Sequence, residues 1–330
     1  MHDALASGVV VVMGTGGTIA GVSTTGRDQD YLAAQLDVTQ LVAAVPTLAT
    51  QPIESLQVAQ LDSKDMGWDV WRALVQALSE ALARPDVLGV VITHGSDTLD
   101  ETAWLLHLLA PPLKPVVLTA AMRPASSVEA DGPRNLADAV CVARWAADQG
   151  LAGVVAVLEG KVWAGTDVRK AHSRDIDAFD GGGAEPLALV SDGQVMPIAD
   201  AVWVPPRGQW LQSMSALPHL PRVEIITSHA DADGAVVDAL LATWPASDER
   251  RLRGLVVACT GHGTWHRELE PALLRARRAG VVVWRSSRVA RGGVESRPDD
   301  TWPVAGRLTP AQARVVLAIT LALRAPPGPG

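Results

Sequence analysis

Aromatic residues other than tryptophan are almost missing from this sequence. Its 330 residues include 11 Trp but only one Tyr and one Phe. Tyrosine normally recurs where a chain uses phenol rings for packing. The single tyrosine, Tyr31, is therefore a candidate for a specific role, and the alternative is compositional drift.

Cysteine and long apolar runs are also scarce. The two cysteines, Cys141 and Cys259, form no Cys-x-x-Cys pair, so we expect free thiols in a reducing compartment. No run of 18 apolar residues is present that could form a membrane helix. The first apolar run, Val9 to Met13, is too short for the core of a signal peptide and is interpreted as a strand. These features predict a cytoplasmic protein without membrane association.

Positive charge is in deficit. Lys and Arg total 28 against 36 Asp and Glu, which gives a net charge of −8. Such a chain repels polyanions, so no nucleic-acid partner is expected. Hydrophobic residues make up 48% of the chain, enough for a large core, and its length predicts about two domains.

Short β-branched segments alternate with helical patterns. Residues 100–109, 133–147 and 310–323 show helical features, and the last two segments begin with proline, which is favoured at a first helical position. The strand-like segments are nearly continuously apolar, as in strands covered on both faces. They are residues 9–12, 87–93, 115–119, 153–158, 223–228, 254–259 and 281–284. The alternation predicts an α/β fold, with a doubly wound, mainly parallel sheet in a larger N-terminal domain and a smaller C-terminal α/β domain.

Proline marks the predicted domain boundary. Five prolines lie between residues 197 and 221, where no helical period persists. We therefore predict an N-terminal domain over residues 1–200, a linker over 201–220 and a C-terminal domain over 221–330.

The first strand runs into a glycine-rich turn, residues 14–21. Ile19 occupies the third glycine position of a dinucleotide fingerprint, and no Walker lysine follows. A nicotinamide oxidoreductase is therefore only a remote alternative, and no cofactor is expected. The turn offers backbone N–H groups beside the hydroxyls of Thr15 and Thr18, which suits a nucleophile and an oxyanion hole. The alternative is a plain strand-to-helix turn.

A second strand ends in another small-residue turn that contains Ser96 and Asp97. Thr98 and Glu101 have the spacing of a capping box, so we expect Thr98 to cap the next helix. Asp97 remains available for a substrate ammonium group. Further along, Lys170 could act as a base if desolvation or a positive neighbour lowered its pKa, the alternative being a solvated surface lysine.

Two familiar catalytic patterns are absent. His262 and His266 are four residues apart, but Gly263 stands where a zinc protease helix would need glutamate, so no metal site is expected. The sequence also lacks a Gly-x-Ser-x-Gly elbow, which disfavours an α/β-hydrolase.

Six segments resemble signatures of the bacterial L-asparaginase and glutaminase-asparaginase family, and they occur in the family's order. The two longest are Thr-Gly-Gly-Thr-Ile-Ala-Gly at residues 15–21 and Ile-Thr-His-Gly-Ser-Asp-Thr at residues 92–98, followed by Glu-Thr-Ala at 101–103. The shorter ones lie within residues 62–66, 121–133, 167–170 and 285–289. Together they cover almost the whole chain.

The resemblance implies hydrolysis of L-asparagine to L-aspartate and ammonia, with glutaminase as a side activity, through a covalent acyl-enzyme and without a cofactor. Thr18 corresponds to the family's nucleophile. Tyr31 corresponds to a tyrosine on a mobile lid that assists this hydroxyl. Ser96, Asp97 and Lys170 correspond to a second catalytic group, which is usually Thr-Asp-Lys.

The resemblance also implies how the zwitterionic substrate is held. Ser63 and Asp97 correspond to residues that bind its α-carboxylate and α-ammonium. Lys64 stands where many members carry an uncharged residue, and it would attract the carboxylate but repel the ammonium. Ser96 keeps the hydroxyl of the usual threonine but loses the methyl that restricts χ1.

Family members are tetramers, dimers of intimate dimers whose sites are completed by a neighbouring subunit. We therefore expect a homotetramer whose other partner is a small amino-acid substrate. His262 stands where many members place an asparagine at the subunit interface, which would make that contact sensitive to pH. Glu295 is the candidate for the family's inter-subunit glutamate. An alternative from another class is a catalytically weak amino-acid-binding protein on the same scaffold.

Overall fold

The computed structural model describes residues 8–324 apart from 29, 112, 210, 211, 216, 244 and 246. The chain divides into two compact units, residues 1–210 and 211–330. The division falls inside the segment predicted as a linker.

The first unit is built on an eight-stranded sheet with two small hairpins. Its strands are β1 (Val9–Gly16), β2 (Val22–Ser23), β3 (Tyr31–Leu32), β4 (Ile53–Leu61), β5 (Val87–Thr93), β6 (Val116–Thr119), β7 (Val154–Leu158), β8 (Lys161–Ala164), β9 (Arg169–Lys170), β10 (Phe179–Asp180), β11 (Ala188–Ser191) and β12 (Gln194–Pro197). Its α-helices are α1 (Val38–Ala43), α2 (Trp68–Ala83), α3 (Leu99–Leu109) and α4 (Gly132–Asp148).

The large sheet has the strand order β12-β11-β8-β7-β6-β5-β1-β4. Neighbouring strands pair in parallel through β4, β1, β5, β6 and β7. The pairs β7–β8, β8–β11 and β11–β12 are antiparallel, so the sheet is mixed. Two-residue turns explain the change. Glu159-Gly160 and Asp192-Gly193 have positive φ at both residues, which is the geometry of a tight hairpin. A parallel crossover would need a much longer connection.

The core of this unit lies on both faces of the parallel strands. Val10 and Val12 of β1 pack in one buried cluster with Leu136 and Val140 of α4. Alternate side chains of a strand point to opposite faces. The intervening Val11 of β1 is also buried, and α2 and α3 lie beside the sheet's other strands. Burial on both faces explains the continuous apolar runs in the sequence.

Strand β1 lies between β4 and β5, which follow it in the chain on opposite sides. Such a reversal of strand order leaves a crevice at the carboxyl ends of the strands, where ligands bind in open α/β sheets. Gly14 of β1 pairs with Thr93 of β5, so the turns after these strands lie at the same edge of the sheet.

The second unit contains a three-stranded parallel sheet in the order β13-β14-β15. Its elements are β13 (Arg222–Thr227), β14 (Leu252–Cys259), β15 (Val282–Ser287), α5 (Gln212–Ser215), α6 (Ala235–Ala242), α7 (Glu270–Arg278) and α8 (Pro310–Arg324). Val257 packs with Leu273 of α7, and Val256 packs with Leu317 of α8, so both faces are covered. The short α5 lies within the proline-rich segment, for which the sequence showed no helical period.

None of the helices in the described parts of the chain is both long and apolar enough to span a membrane.

Candidate active site

A cavity of about 470 Å³ lies at the carboxyl ends of β1 and β5. It brings together residues that are far apart in the sequence, and most of them are polar or charged. They are Thr18, Asp28, Tyr31, Ser96, Asp97, Met122, Arg123, Glu129, Lys170, Ser173 and Arg174. All five residues predicted to be catalytic therefore line one cavity.

The turn after β1 places Thr18 in this cavity. Gly17 has φ of +85°, a conformation that favours glycine. A Cβ atom at Gly17 would lie 2.4 Å from the Cα atom of Gly95, so the turns after β1 and β5 touch backbone to backbone. Ile19 and Ala20 are buried behind Thr18 and anchor a short 3-10 turn.

Thr15, the other hydroxyl of the turn, has a different role. It is buried, and its Oγ1 donates to the carbonyl oxygen of Thr93 at 3.0 Å. The Gly17 N–H is also engaged, since it donates to the carbonyl oxygen of Leu61 at 2.9 Å. Thr15 therefore joins the two strands, and the Gly17 N–H does not serve as an oxyanion donor.

Tyr31 reaches the cavity from a small hairpin. Strands β2 and β3 pair antiparallel, with Ser23 opposite Tyr31. The Tyr31 hydroxyl lies 2.8 Å from Thr18 Oγ1. A Cβ atom at Gly21 would lie 2.7 Å from Cδ2 of the tyrosine ring, so glycine at this position leaves room for the phenol to cross the turn.

Lys170 connects the other two catalytic candidates. Its Nζ donates to Ser96 Oγ at 2.8 Å and to Asp97 Oδ1 at 2.6 Å. The Lys170 side chain is 18% exposed, so Asp97 balances a charge that is largely removed from water. Lys170 lies in β9, where it pairs with the buried Phe179 of β10.

A buried hydrogen-bond chain supports the turn that carries Ser96 and Asp97. Trp71 Nε1 donates to Thr102 Oγ1 at 2.8 Å, and Thr102 Oγ1 lies 2.9 Å from His94 Nε2. His94 Nδ1 lies 2.8 Å from the carbonyl oxygen of Gly95. Burial lowers the pKa of His94 to about 4, so the ring is neutral at pH 7. The chain is satisfied when Thr102 donates to Nε2 and Nδ1–H donates to Gly95.

Ser63 lies directly beneath this turn rather than among the residues that line the cavity. A Cβ atom at Gly95 would lie 2.4 Å from Ser63 Oγ, and this buried hydroxyl has no hydrogen-bond partner among the described residues. The Ser63 carbonyl oxygen accepts from Thr98 Oγ1 at 2.9 Å. Thr98 precedes α3 but makes no side-chain capping bond, so the predicted capping box is wrong because its hydroxyl is used by Ser63.

Lys64 is not brought into the cavity. Its Nζ donates to Asp62 Oδ2 at 2.8 Å and to Asp65 Oδ2 at 3.1 Å, and its side chain is 62% exposed. These hydrogen bonds raise the pKa of Lys64. The ammonium group is thus directed to its own neighbours in the chain and not to Thr18 or Lys170.

His262 and Glu295 lie together in the second unit. The backbone N–H of Glu295 donates to His262 Nε2 at 3.3 Å. His262 is in the turn after β14, between Thr260 and Thr264, which pair across it. The two residues assigned to a subunit contact from the sequence are therefore neighbours in the fold.

Sequence reasoning assigned no role to several charged residues of the cavity. Asp28 comes from the hairpin, Arg123 and Glu129 from the loop after β6, and Arg174 from the segment between β9 and β10. Arg123 lies in the Ala-Met-Arg-Pro run, residues 121–124, which opens the family-like segment at 121–133 and could have directed attention to this arginine. The other three lie in polar segments without a distinguishing pattern.

Comparisons with known proteins cover both units. The family model for the N-terminal asparaginase domain matches residues 9–202, and the model for the glutaminase/asparaginase C-terminal domain matches residues 222–327. L-asparaginase 2 of Escherichia coli K12 is 34% identical over 96% of this chain and 90% of that protein. Glutaminase-asparaginase of Pseudomonas fluorescens biotype A is 33% identical over 94% of this chain and 86% of that protein.

A solved structure is similar over almost the same extent. The crystal structure of a probable cytoplasmic L-asparaginase from Campylobacter jejuni has a TM-score of 0.84 and 33% sequence identity, covering 96% of this chain and 95% of that one. A probable periplasmic L-asparaginase of Haemophilus influenzae is 33% identical over 94% of this chain and 88% of that protein.

Proposed function

Because the chain belongs to the asparaginase family and is an asparagine-hydrolysing enzyme, we propose that it acts through an acyl-enzyme on Thr18. The observation that carries the proposal is the contact of 2.8 Å between Thr18 Oγ1 and the Tyr31 hydroxyl, in the same cavity as the group Ser96–Lys170–Asp97. An amide is a poor electrophile, so covalent catalysis requires a hydroxyl placed beside a group that can accept its proton.

In the first half of the reaction, Thr18 Oγ1 attacks the side-chain amide carbon of L-asparagine. Tyr31 takes part in moving the hydroxyl proton, which reaches the leaving nitrogen as the C–N bond breaks. Ammonia departs and a β-aspartyl ester on Thr18 remains. The contact of 2.8 Å between the two hydroxyls supports proton transfer between Thr18 and Tyr31.

In the second half, water attacks the ester carbon and releases L-aspartate and the free Thr18 hydroxyl. We propose that Ser96, Asp97 and Lys170 orient this water and move its proton. Lys170 joins the other two residues through hydrogen bonds of 2.8 and 2.6 Å, so the group acts as one unit. Asp97 also offers its half-exposed carboxylate to the substrate's α-ammonium.

Ser63 is proposed to bind the α-carboxylate. Its buried Oγ lacks a partner among the described residues, and an unsatisfied buried hydroxyl gains most from a charged acceptor. Such binding requires the turn at Gly95 to admit the carboxylate. Lys64 remains a proposed contributor to binding only through its charge, since its ammonium is paired with Asp62 and Asp65.

The function is tested by measuring ammonia release from L-asparagine, L-glutamine and D-asparagine with the full-length protein and with Thr18→Ala. We expect L-asparagine to be the best substrate, L-glutamine to be slower, and Thr18→Ala to be inactive. Tight L-aspartate binding without ammonia release would instead indicate an amino-acid-binding protein on this scaffold.

We also propose a homotetramer in which His262 and Glu295 of one subunit complete the site of its neighbour. Their mutual contact supports a shared role. For the compartment, we propose the cytoplasm, because both cysteines are free. Cell fractionation with an antibody to the protein tests the second proposal, and a periplasmic location would contradict it.

A further inference from the structure

The hairpin of β2 and β3, here called the lid, is fastened to the loop that follows β6. Asp28 Oδ2 in the lid accepts a hydrogen bond from Ser127 Oγ at 2.8 Å. The same oxygen lies 3.9 Å from Arg123 Nε. Asp28 is three residues from Tyr31, whose hydroxyl contacts Thr18. The fastening is therefore close to the catalytic end of the lid.

A second contact joins the same two segments. The backbone N–H of Ser23 donates to Ser126 Oγ at 2.7 Å. Ser23 pairs with Tyr31 across the lid. Two consecutive serines of the loop therefore contact the lid. Ser126 binds Ser23 in β2, and Ser127 binds Asp28 in the turn between β2 and β3.

The loop is a firm anchor for these contacts. The carboxylate of Asp131, which is 8% exposed, accepts from the backbone N–H groups of Met122 and Arg123 and from Asn135 Nδ2. Arg123 Nη1 also donates to the carbonyl oxygen of Arg174 at 2.8 Å. These hydrogen bonds to a buried carboxylate hold the loop's backbone in place. A lid side chain that binds the loop, such as Asp28, is therefore held by a fixed partner.

We propose that Asp28 and Ser127 form a clasp that holds the lid closed and thereby keeps the Tyr31 hydroxyl against Thr18. They are positioning residues for the reaction. The inference rests on the proposed function only for the roles of Tyr31 and Thr18. The clasp itself is a property of the lid and can be observed without catalysis.

A Ser127 variant tests the clasp without changing a residue that lines the cavity. Asp28 lines the cavity, so its substitution could act on the substrate as well as on the lid. Ser127 is outside the set of cavity-lining residues. Its Oγ donates to Asp28 Oδ2 in the lid and accepts from the backbone N–H of Glu129 at 3.1 Å within its own loop. Because Glu129 also lines the cavity, a catalytic effect of Ser127→Ala is assigned to the clasp only when exchange in the lid speeds up with it and the double variant is no worse than Asp28→Ala.

Thr25 provides a matched control within the lid. Its Oγ1 donates to Asp30 Oδ2 at 2.9 Å, which is again a hydroxyl bonded to a carboxylate. Both partners belong to the lid, so this bond does not connect the lid to the loop. Thr25→Ala removes a similar bond without opening the clasp.

The experiment compares Ser127→Ala, Asp28→Ala, the double variant, Ser127→Thr and Thr25→Ala in the full-length protein. Steady-state kcat and KM for L-asparagine are measured together with hydrogen exchange of peptides that cover the lid. We expect Ser127→Ala to lower kcat/KM about fivefold, the effect of one ordinary hydrogen bond, and to speed exchange in the lid. The double variant should be no worse than Asp28→Ala, Ser127→Thr should recover activity, and Thr25→Ala should keep parental kcat/KM.

Parental kcat/KM and parental lid exchange in Ser127→Ala would overturn the clasp, and so would additive losses in the double variant. Failure of the proposed function has a different signature. If the parent releases no ammonia, or if Thr18→Ala remains active, the catalytic assignment falls while lid exchange still decides the clasp. Faster exchange in Ser127→Ala and Asp28→Ala, with none in a distant peptide, would support it in that case.

Discussion

The proposed catalysis depends on two hydroxyl groups that lie 2.8 Å apart. One belongs to Thr18 and the other to the chain's single tyrosine. Their contact requires Gly21, because a Cβ atom there would collide with the phenol ring. The rare phenol is thus placed where its hydroxyl has a chemical use, which favours a specific role over compositional drift.

Tyr31→Phe tests this role at the residue scale. The ring can keep its place over Gly21, so we expect the midpoint of thermal unfolding to change little, while kcat for ammonia release falls roughly 100-fold, as for loss of a proton-transfer group. The measurement is kcat beside calorimetry. Normal turnover together with reduced stability would indicate that Tyr31 contributes packing and not proton transfer.

Thr18, Ser96 and Asp97 could be identified because they follow predicted strands in distinctive short motifs, whereas the roles of Tyr31 and Lys170 came from the family resemblance. The sequence could not show whether the Lys64 side chain enters the cavity. The answer depends on its ion pairs with Asp62 and Asp65, which form only in the folded turn. Phe179 was missed for a similar reason. Its position opposite Lys170 follows from the pairing of β9 with β10, and two-residue strands leave no periodic signal.

At the scale of elements, the site depends on the close approach of two turns. The turn after β1 reaches the turn after β5 because both Gly17 and Gly95 lack side chains. All seven strand segments identified from the sequence are strands in the structure, since each is a short and largely apolar run rich in β-branched residues. Strand β4 lies at the sheet edge and is largely half-exposed or exposed, so it has no such run.

Gly17→Ala tests the contact between the turns, with Gly150→Ala as its control. Both glycines have positive φ, but a Cβ atom at Gly150 would meet nothing within 4 Å. We expect Gly150→Ala to cost about 1 kcal/mol through backbone strain alone. Gly17→Ala should cost more and reduce activity, as measured by urea unfolding and ammonia release. Equal losses in the two variants would show that the turns need no close approach.

Helix α3 gives the protein a predictable response to acid. Burial, with the nearby charge of Arg207, lowers the pKa of His107 to about 4. Between pH 6.5 and pH 4 the unfolded chain therefore binds a proton that the folded chain does not, and stability falls as pH falls. The contribution of this residue over that window is roughly 3 kcal/mol.

His107→Phe removes this titration and keeps a ring beside Trp104. We expect its unfolding free energy to decrease less than that of the parent between pH 6.5 and pH 4, as followed by urea titrations at several pH values. His94, whose pKa is also lowered, remains in both proteins and so cancels in the comparison. Parallel pH curves for parent and variant would contradict the prediction.

At the scale of the whole molecule, the sequence predicted two α/β domains, and the fold has a large mixed sheet followed by a smaller parallel one. It did not reveal the antiparallel edge, because the two turns that create it, Glu159-Gly160 and Asp192-Gly193, are short and were not distinguished from other polar segments. Each of these turns reverses the chain, so that β8 and β12 run opposite to β7, and the fold class is unchanged.

The proposed tetramer makes a prediction about mixed subunits. Thr18→Ala and the double variant His262→Ala, Glu295→Ala should each be weakly active or inactive. If a site combines Thr18 from one subunit with His262 and Glu295 from its neighbour, dissociating and reassembling the two together should restore part of the activity. Light scattering should give four times the 34.7 kDa chain mass. Absence of complementation in a confirmed mixed oligomer would place each site within one subunit.

The proposed reaction passes through a covalent intermediate on Thr18. Its most direct test is an acid quench of the enzyme during turnover of L-asparagine, followed by peptic digestion and mass spectrometry. We expect a β-aspartyl ester on Thr18, in a peptide that carries no adduct in Thr18→Ala. An ester on Ser96, or a burst of ammonia release with no ester on Thr18 under conditions where deacylation is slowed, would contradict it.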